Sequence, residues 1–237
     1  MNIEALITYI TTTPLIWLLI TLGSFKLGII IYERFNKNPL LQPIIISYFI
    51  IICTLFMTGV SYEEYFKSVE IIHFFLGPAT VALALPLYNN LKYIKSLFFP
   101  IVIALLIAGT FSIVLAVFLL WVLGAQLPTI LSMTTKSITA PIAIITSEQI
   151  GAIPSLAVGF VIITGIIGAV LGTTIFKLLN IKHDTSKGFA LGVISHGIGT
   201  ARAIEISQKA AAFSALAMGL SGIVTAIFLP LIVEFLK

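Results

Sequence analysis

The chain has 237 residues, 59% hydrophobic and 9% charged, where a soluble domain carries about 45–50% apolar and roughly 25% charged residues. That balance excludes a soluble globular fold and indicates a membrane protein. The net charge of +4 comes from basic residues set singly in short connectors, without the clustered patch and interleaved aromatics of a nucleic-acid surface. No nucleic-acid partner is expected.

The opening stretch "MNIEALITYITTTPLIW" has neither a basic n-region nor a small-residue cleavage site, so no cleaved secretory signal is expected. Five apolar runs follow, at about 14 to 32, 43 to 60, 96 to 123, 154 to 178 and 211 to 236. Each is close to the roughly 20 helical residues needed to cross a hydrocarbon core. Alternating strand patterns are absent, so these spans are expected to be helices that satisfy their own backbone in lipid. Lys26 interrupts the first span and is expected to snorkel toward Arg34. Cys53 is the single cysteine, which leaves neither a disulfide framework nor a cysteine metal site.

Three further segments have membrane-like length but broken continuity: "IIHFFLGPATVALALPLY" (71 to 88), "PTILSMTTKSITAPIAIITS" (128 to 147), and the opening of 188 to 209. The breaks fall at Gly77-Pro78 and Pro86, at Thr134 to Thr139 with Pro141, and at Gly197 and Gly199. Irregular backbone at membrane depth is tolerated only where protein or a water-filled cavity surrounds it.

Lys and Arg in short loops mark the cytoplasmic side. Arg34 and Lys37, then Lys92 and Lys95, then Lys177, Lys182 and Lys187 define three such loops, while "SYEEYFKSVE" and "GAQLP" read as external. The chain is thus outside at 124 and must be outside again before 154. The segment 128 to 150 is therefore expected to be a re-entrant hairpin with its tip near Lys136 to Pro141.

"GPATVALA" from Gly77 also aligns with "GIGTARAI" from Gly197, pairing Gly77 with Gly197 and Thr80 with Thr200. The order span, broken helix, long span recurs, with 43 to 60, 71 to 88 and 96 to 123 set against 154 to 178, 188 to 209 and 211 to 236. Three crossings per unit would invert the second copy. The expected fold is all-α: a polytopic transmembrane protein with inverted repeats, discontinuous helices and a re-entrant hairpin. It forms a single membrane domain over 1–237, with repeat 1 at about 14–123 and repeat 2 at about 128–236. Paired interruptions of this kind point to a transporter binding site.

The chemistry follows from what stands at the breaks. The N-terminal end of a half-helix presents free N–H groups and a positive dipole end to an anion, and in "SHGIGTAR" Gly197 and Gly199 let a ligand approach. Arg202 adds a fork of donors, with Ser195, His196 and Thr200 as hydrogen-bonding groups; His196 is a candidate for a coupling proton. The alternative is internal pairing, Arg202 with Glu205 and His196 with a carbonyl. Lys136, flanked by Thr134, Thr135, Ser137 and Thr139, reads either as a second anion ligand or as a solvated lysine. The first break offers Gly77, Pro78 and Thr80, and a plain proline kink is its alternative. No nucleophile is paired with a base and no metal-ligand spacing occurs, so no enzyme, metal or cofactor is expected.

"FFLGPATVALALPLY" (74 to 88), "TTKSITAPIAI" (134 to 144), "IGAIPSLA" (150 to 157) and "SHGIGTARAIE" (195 to 205), in this order and spacing, resemble the LrgB/CidB family of bacterial membrane proteins from about residue 14 onward. The resemblance implies a multi-pass protein of the bacterial cytoplasmic membrane. It carries two functional implications. One is an antiholin-like or holin-like modulator of murein hydrolase activity and autolysis, beside a smaller LrgA/CidA-type partner. The other is transport of small carboxylates, since the plastidial glycolate/glycerate transporter and bacterial pairs implicated in pyruvate movement are relatives. Family members vary at the residue before "PAT", where this chain has Gly77 rather than an acidic or amide side chain. The expected protein is a homodimeric carrier of a small monocarboxylate such as pyruvate, glycolate or glycerate, with proton or sodium coupling. The alternative is the murein-hydrolase modulator.

Overall fold

The computed structural model describes residues 13–235, apart from 37, 39–40, 76–77, 79–80 and 83. All regular structure among them is helical, as twelve helices. Among the described residues, four helices are long and apolar enough to cross a membrane, and one bent pair passes the same measure together. The chain falls into two compact units, Met1–Ala82 and Leu83–Lys237, a boundary that lies inside the first repeat read from the sequence.

In the first unit, α1 (Pro14–Arg34) and α2 (Pro43–Thr58) each begin at a proline, which suits the first helical position because its missing N–H has no partner there anyway. They approach closely at Gly28, where a Cβ would lie 2.7 Å from the Pro43 carbonyl oxygen. Gly59, at φ 70°, ends α2. The short α3 (Tyr62–Ser68) then turns away by 118°, started by a capping box between Ser61 and Glu64; α4 (Glu70–Phe74) follows. The core is Trp17, Ile51, Tyr65 and Val69. Trp17 meets Tyr65 edge-on at 5.6 Å, and the Tyr65 hydroxyl lies 3.0 Å from Thr21 Oγ1, so the buried phenol keeps a polar partner.

The second unit opens with α5 (Ala84–Asn89) and α6 (Leu91–Ser96), then α7 (Phe98–Val122), α8 (Leu127–Thr134), α9 (Ala140–Ile150), α10 (Pro154–Leu178), α11 (Asp184–Ile206) and α12 (Gln208–Phe235). The long spans α7 and α10 have the same length, 25 residues, and the same ending. Gly124 and Asn180 take left-handed conformations, at φ 74° and 52°. Ala125 N–H donates to Leu120 O as Ile181 N–H does to Phe176 O. Each span is then followed by a helical hairpin.

The first hairpin is α8 and α9, joined by the non-helical stretch 135–139. Ser132 Oγ accepts from Ile153 N–H at 2.9 Å. Residues 132 and 153 could not meet if α8 and α9 ran on in one line, so the chain doubles back as the sidedness of the loops requires.

The second hairpin corrects the sequence reading, which counts 188 to 209 as a crossing. Within α11, His196 has φ 40° and ψ −125°, and the helix reverses there rather than at Gly197 or Gly199. A methyl group on Gly199 would overlap the Leu191 carbonyl, and Leu191 and Ala203 share one core cluster with Phe176 and Ala210. At the mouth, hydrogen bonds from Lys187 and then Ser207 hold the Asp184 carboxyl below its ordinary range. In a straight helix, residues 184 and 206 would stand about 33 Å apart. Both ends of this hairpin thus lie on the side of Lys177, Lys182 and Lys187, and both ends of the first lie on the opposite side.

Close packing of the second hairpin rests on absent side chains. A methyl group at Gly188 would overlap the Ala210 carbonyl, and one at Gly192 the Ser214 carbonyl, both on α12. On α10, a Cβ at Gly165 would lie 2.8 Å from His196 Cε1, and one at Gly168 would overlap Ser195 Oγ.

Candidate functional site

Lys136 stands in the turn between α8 and α9, where the α8 C-terminus and the α9 N-terminus both end. The local sequence makes this turn: Thr139 is the N-cap of α9 and Pro141 lies in its first turn, so neither helix continues into the other. Lys136 is 8% exposed. Its Nζ donates to Ser112 Oγ at 2.5 Å and Ser137 Oγ at 3.0 Å, and it forms no ion pair among the described residues. Ser112 lies in α7, about 15 Å along the helix from Val122 and about 21 Å from Phe98. The cation is therefore deep within the span and not solvated at its surface. Thr135, fully buried, donates to Ser132 O at 2.9 Å; Thr139 makes no side-chain cap bond.

At the other tip, Nε2 of His196 lies 3.0 Å from Val161 O. Thr200 Oγ1 donates to His196 O at 2.9 Å and lies 3.0 Å from Ser214 Oγ. Ser195 Oγ is fully buried without a hydrogen-bond partner, which leaves a polar group at the tip with unused capacity. Gly197 is exposed with open space before its Cα, while Gly199 serves packing. Arg202 is ion-paired with Glu205 on the returning leg. The contacts at Arg202 and His196 are thus those of the internal-pairing alternative.

Both tips rest on one turn of α10. Ile138 of the first tip is clustered with Val161, and His196 of the second reaches that residue's carbonyl. Helix N-termini at 140 and 197, a buried lysine without a counter-ion among the described residues and a buried, unpartnered serine hydroxyl therefore belong to one unit. Such a set can receive a small anion through charge and N–H dipoles. The first interruption straddles the boundary: Pro86 falls in the second unit, while Pro78 falls in the first and is exposed there, and Gly77 and Thr80 lie outside the described residues.

Sequence reasoning missed Ser112, Val161, Gly165, Gly168 and Ser214. A hydroxyl inside the apolar run of α7 and the glycine spacing of α10 were the available signals.

A model of the LrgB-like family matches residues 21–235. The chain is 33% identical over 216 residues to the holin-like protein CidB of Staphylococcus epidermidis, covering 91% of this chain and 94% of that one. It is 30% identical over 226 residues to the antiholin-like protein LrgB of Bacillus mycoides, covering 95% and 98%, and 34% identical over 219 residues to YxaC of Bacillus subtilis, covering 92% and 95%. No solved structure matches. With the family's match running from the first span to the last, the chain belongs to the LrgB-like family and is an all-helical, multi-pass bacterial membrane protein.

Proposed function

We propose that the protein moves a small monocarboxylate, of the size of pyruvate, glycolate or glycerate, across the cytoplasmic membrane through a site between the two hairpin tips. The observation that carries this reading is Lys136: a buried cation, deep in the span, held by two hydroxyls and no carboxylate. A charged residue at a helix centre costs about 2.5–3.5 kcal/mol even on lenient insertion scales. A carboxylate arriving at Lys136 offsets that cost, and the N-termini at 140 and 197 add dipoles of the favourable sign. Hairpins entering from opposite faces suit alternating access, one tip releasing while the other holds. The matched spans α7 and α10 with their hairpins support an inverted repeat inside the second unit. A proton or sodium ion as coupling partner and a homodimeric assembly complete the proposal.

Uptake of labelled pyruvate, glycolate and lactate into proteoliposomes tests it. Saturable uptake by the wild type and its loss in Lys136→Ala are expected; absence of saturable uptake for every carboxylate tried would count against transport.

The relatives' names speak more directly for the second reading, a holin-like or antiholin-like modulator of murein hydrolase activity and autolysis working with an LrgA/CidA-type partner. On that reading Lys136→Ala leaves autolysis rates unchanged as long as the protein assembles.

A further inference from the structure

A cavity of about 540 Å³ opens where α10 ends and both legs of the second hairpin emerge, lined by Thr173, Phe176, Asn180, Ile181 and Ile206 with Lys177, Lys182 and Lys187. We propose that it binds the phosphate of an anionic phospholipid from the cytoplasmic leaflet.

The three lysines come from three elements: the last turn of α10, the connector after it, and the first leg of the hairpin. Lys187 shares its charge with Asp184 at 3.1 Å, while Lys177 and Lys182 pair with no carboxylate among the described residues. Three carbonyls near the end of α10, which would repel an anion, are already taken: Ile175 O accepts from Leu179 N–H, Phe176 O from Ile181 N–H and Lys177 O from Asn180 N–H. The rim therefore presents net positive charge.

The floor is apolar, because Phe176 belongs to the core cluster beneath and Ile181 and Ile206 pack against it. Beside the mouth, Ile175, Leu178 and Leu179 are 44%, 79% and 67% exposed, a surface made for acyl chains. A basic rim over an apolar floor at the helix end fits a lipid headgroup with its chains alongside, as basic pockets between helices on the cytoplasmic side do generally. A free phosphate or carboxylate shares the charge but makes no use of the apolar surface. A phosphate seated here bridges the end of α10 to the hairpin and steadies its mouth.

Native mass spectrometry of the full chain in detergent, offered phosphatidylglycerol or phosphatidylcholine with the same acyl chains, tests the site. Wild type is expected to retain phosphatidylglycerol preferentially. Retention should fall about fivefold for each of Lys177→Gln and Lys182→Gln, the factor set by one basic residue near an anionic leaflet. Lys177→Arg/Lys182→Arg should restore it. Hydrogen exchange over 184–190 should slow when phosphatidylglycerol is added. Equal retention of the two lipids, retention unchanged in the glutamine variants, or unchanged exchange would overturn the proposal. Inorganic phosphate is expected not to displace the lipid; displacement at modest excess would assign the cavity to a free anion instead.

Discussion

The hairpin made by α8 and α9 and the one made by α11 have similar lengths and lean on the same turn of α10, yet they dispose of their polar groups differently. In the first, the turn is made by sequence that favours it, Thr139 and Pro141 starting a fresh helix, and the backbone is relaxed. Its charge, Lys136, is left with hydroxyl partners only. In the second, the turn falls on a histidine in a conformation that suits glycine. Its charges are joined locally, Arg202 to Glu205 and Lys187 to Asp184. The contrast teaches that a charge in a motif is not by itself a binding group. The hairpin with the richer motif has its charges already answered, and the plainer one holds a charge with no carboxylate beside it among the described residues.

The most decisive way to break this comparison is topological. After replacement of Cys53, cysteines at 126 and 149 should label from one side of the membrane and cysteines at 186 and 207 from the other. Opposite-side labelling within either pair would show that segment to be a full crossing. Next in size is packing: Gly188→Leu drives a side chain into the backbone of α12, where overpacking costs about 3 kcal/mol or more. Loss of monodisperse protein is expected on size-exclusion chromatography, whereas Gly197→Ala, which meets open space, should leave the profile intact.

Lys136→Met sharpens the electrostatic half of the contrast. It should cut carboxylate uptake more than tenfold while leaving the melting temperature equal or raised, because a buried charge without a counter-ion contributes no stability. A lowered melting temperature with uptake retained would make Lys136 structural. The smallest effect concerns the strained turn. His196→Ala loses a hydrogen bond of about 1 kcal/mol and keeps the strain, while His196→Gly also relieves roughly 1–3 kcal/mol of it. The glycine variant should therefore melt higher than the alanine variant; the reverse order would mean that the backbone there is unstrained.

Much of this architecture is legible in the sequence, for identifiable reasons. Four of the five apolar runs give their own lengths, while the run at 43 to 60 yields a 16-residue helix that reaches membrane length only together with the bent α3; the first hairpin follows from parity, since loops at 124 and 151 must share a side. The second hairpin escapes the same logic because its break carries no proline and its glycines spread from 188 to 199, so the turn looks as much like a kink as a reversal. What shows the reversal is contact between residues well apart in sequence, Gly199 with the Leu191 carbonyl and Asp184 with Ser207. Lys136 is legible as a singular charge in an apolar segment. Its partner Ser112 is not, because one serine among the apolar residues of α7 gives no sign of which face it occupies. The repeat that pairs Gly77 with Gly197 draws on four residues, and the closer likeness of α7 to α10 resides in cap geometry that side-chain identity conceals, Gly124 answering to Asn180.

The shared footing on Val161 has a mechanical meaning. Two doors hung on a single post cannot be moved by moving the post, since a tilt of α10 would carry both tips together. On the transport reading, independent opening requires each tip to move along the helix instead, and the second tip meets that helix at bare backbone, with His196 and Ser195 seated against Gly165 and Gly168. On that reading, a side chain added at either glycine should hinder the second tip and spare the first.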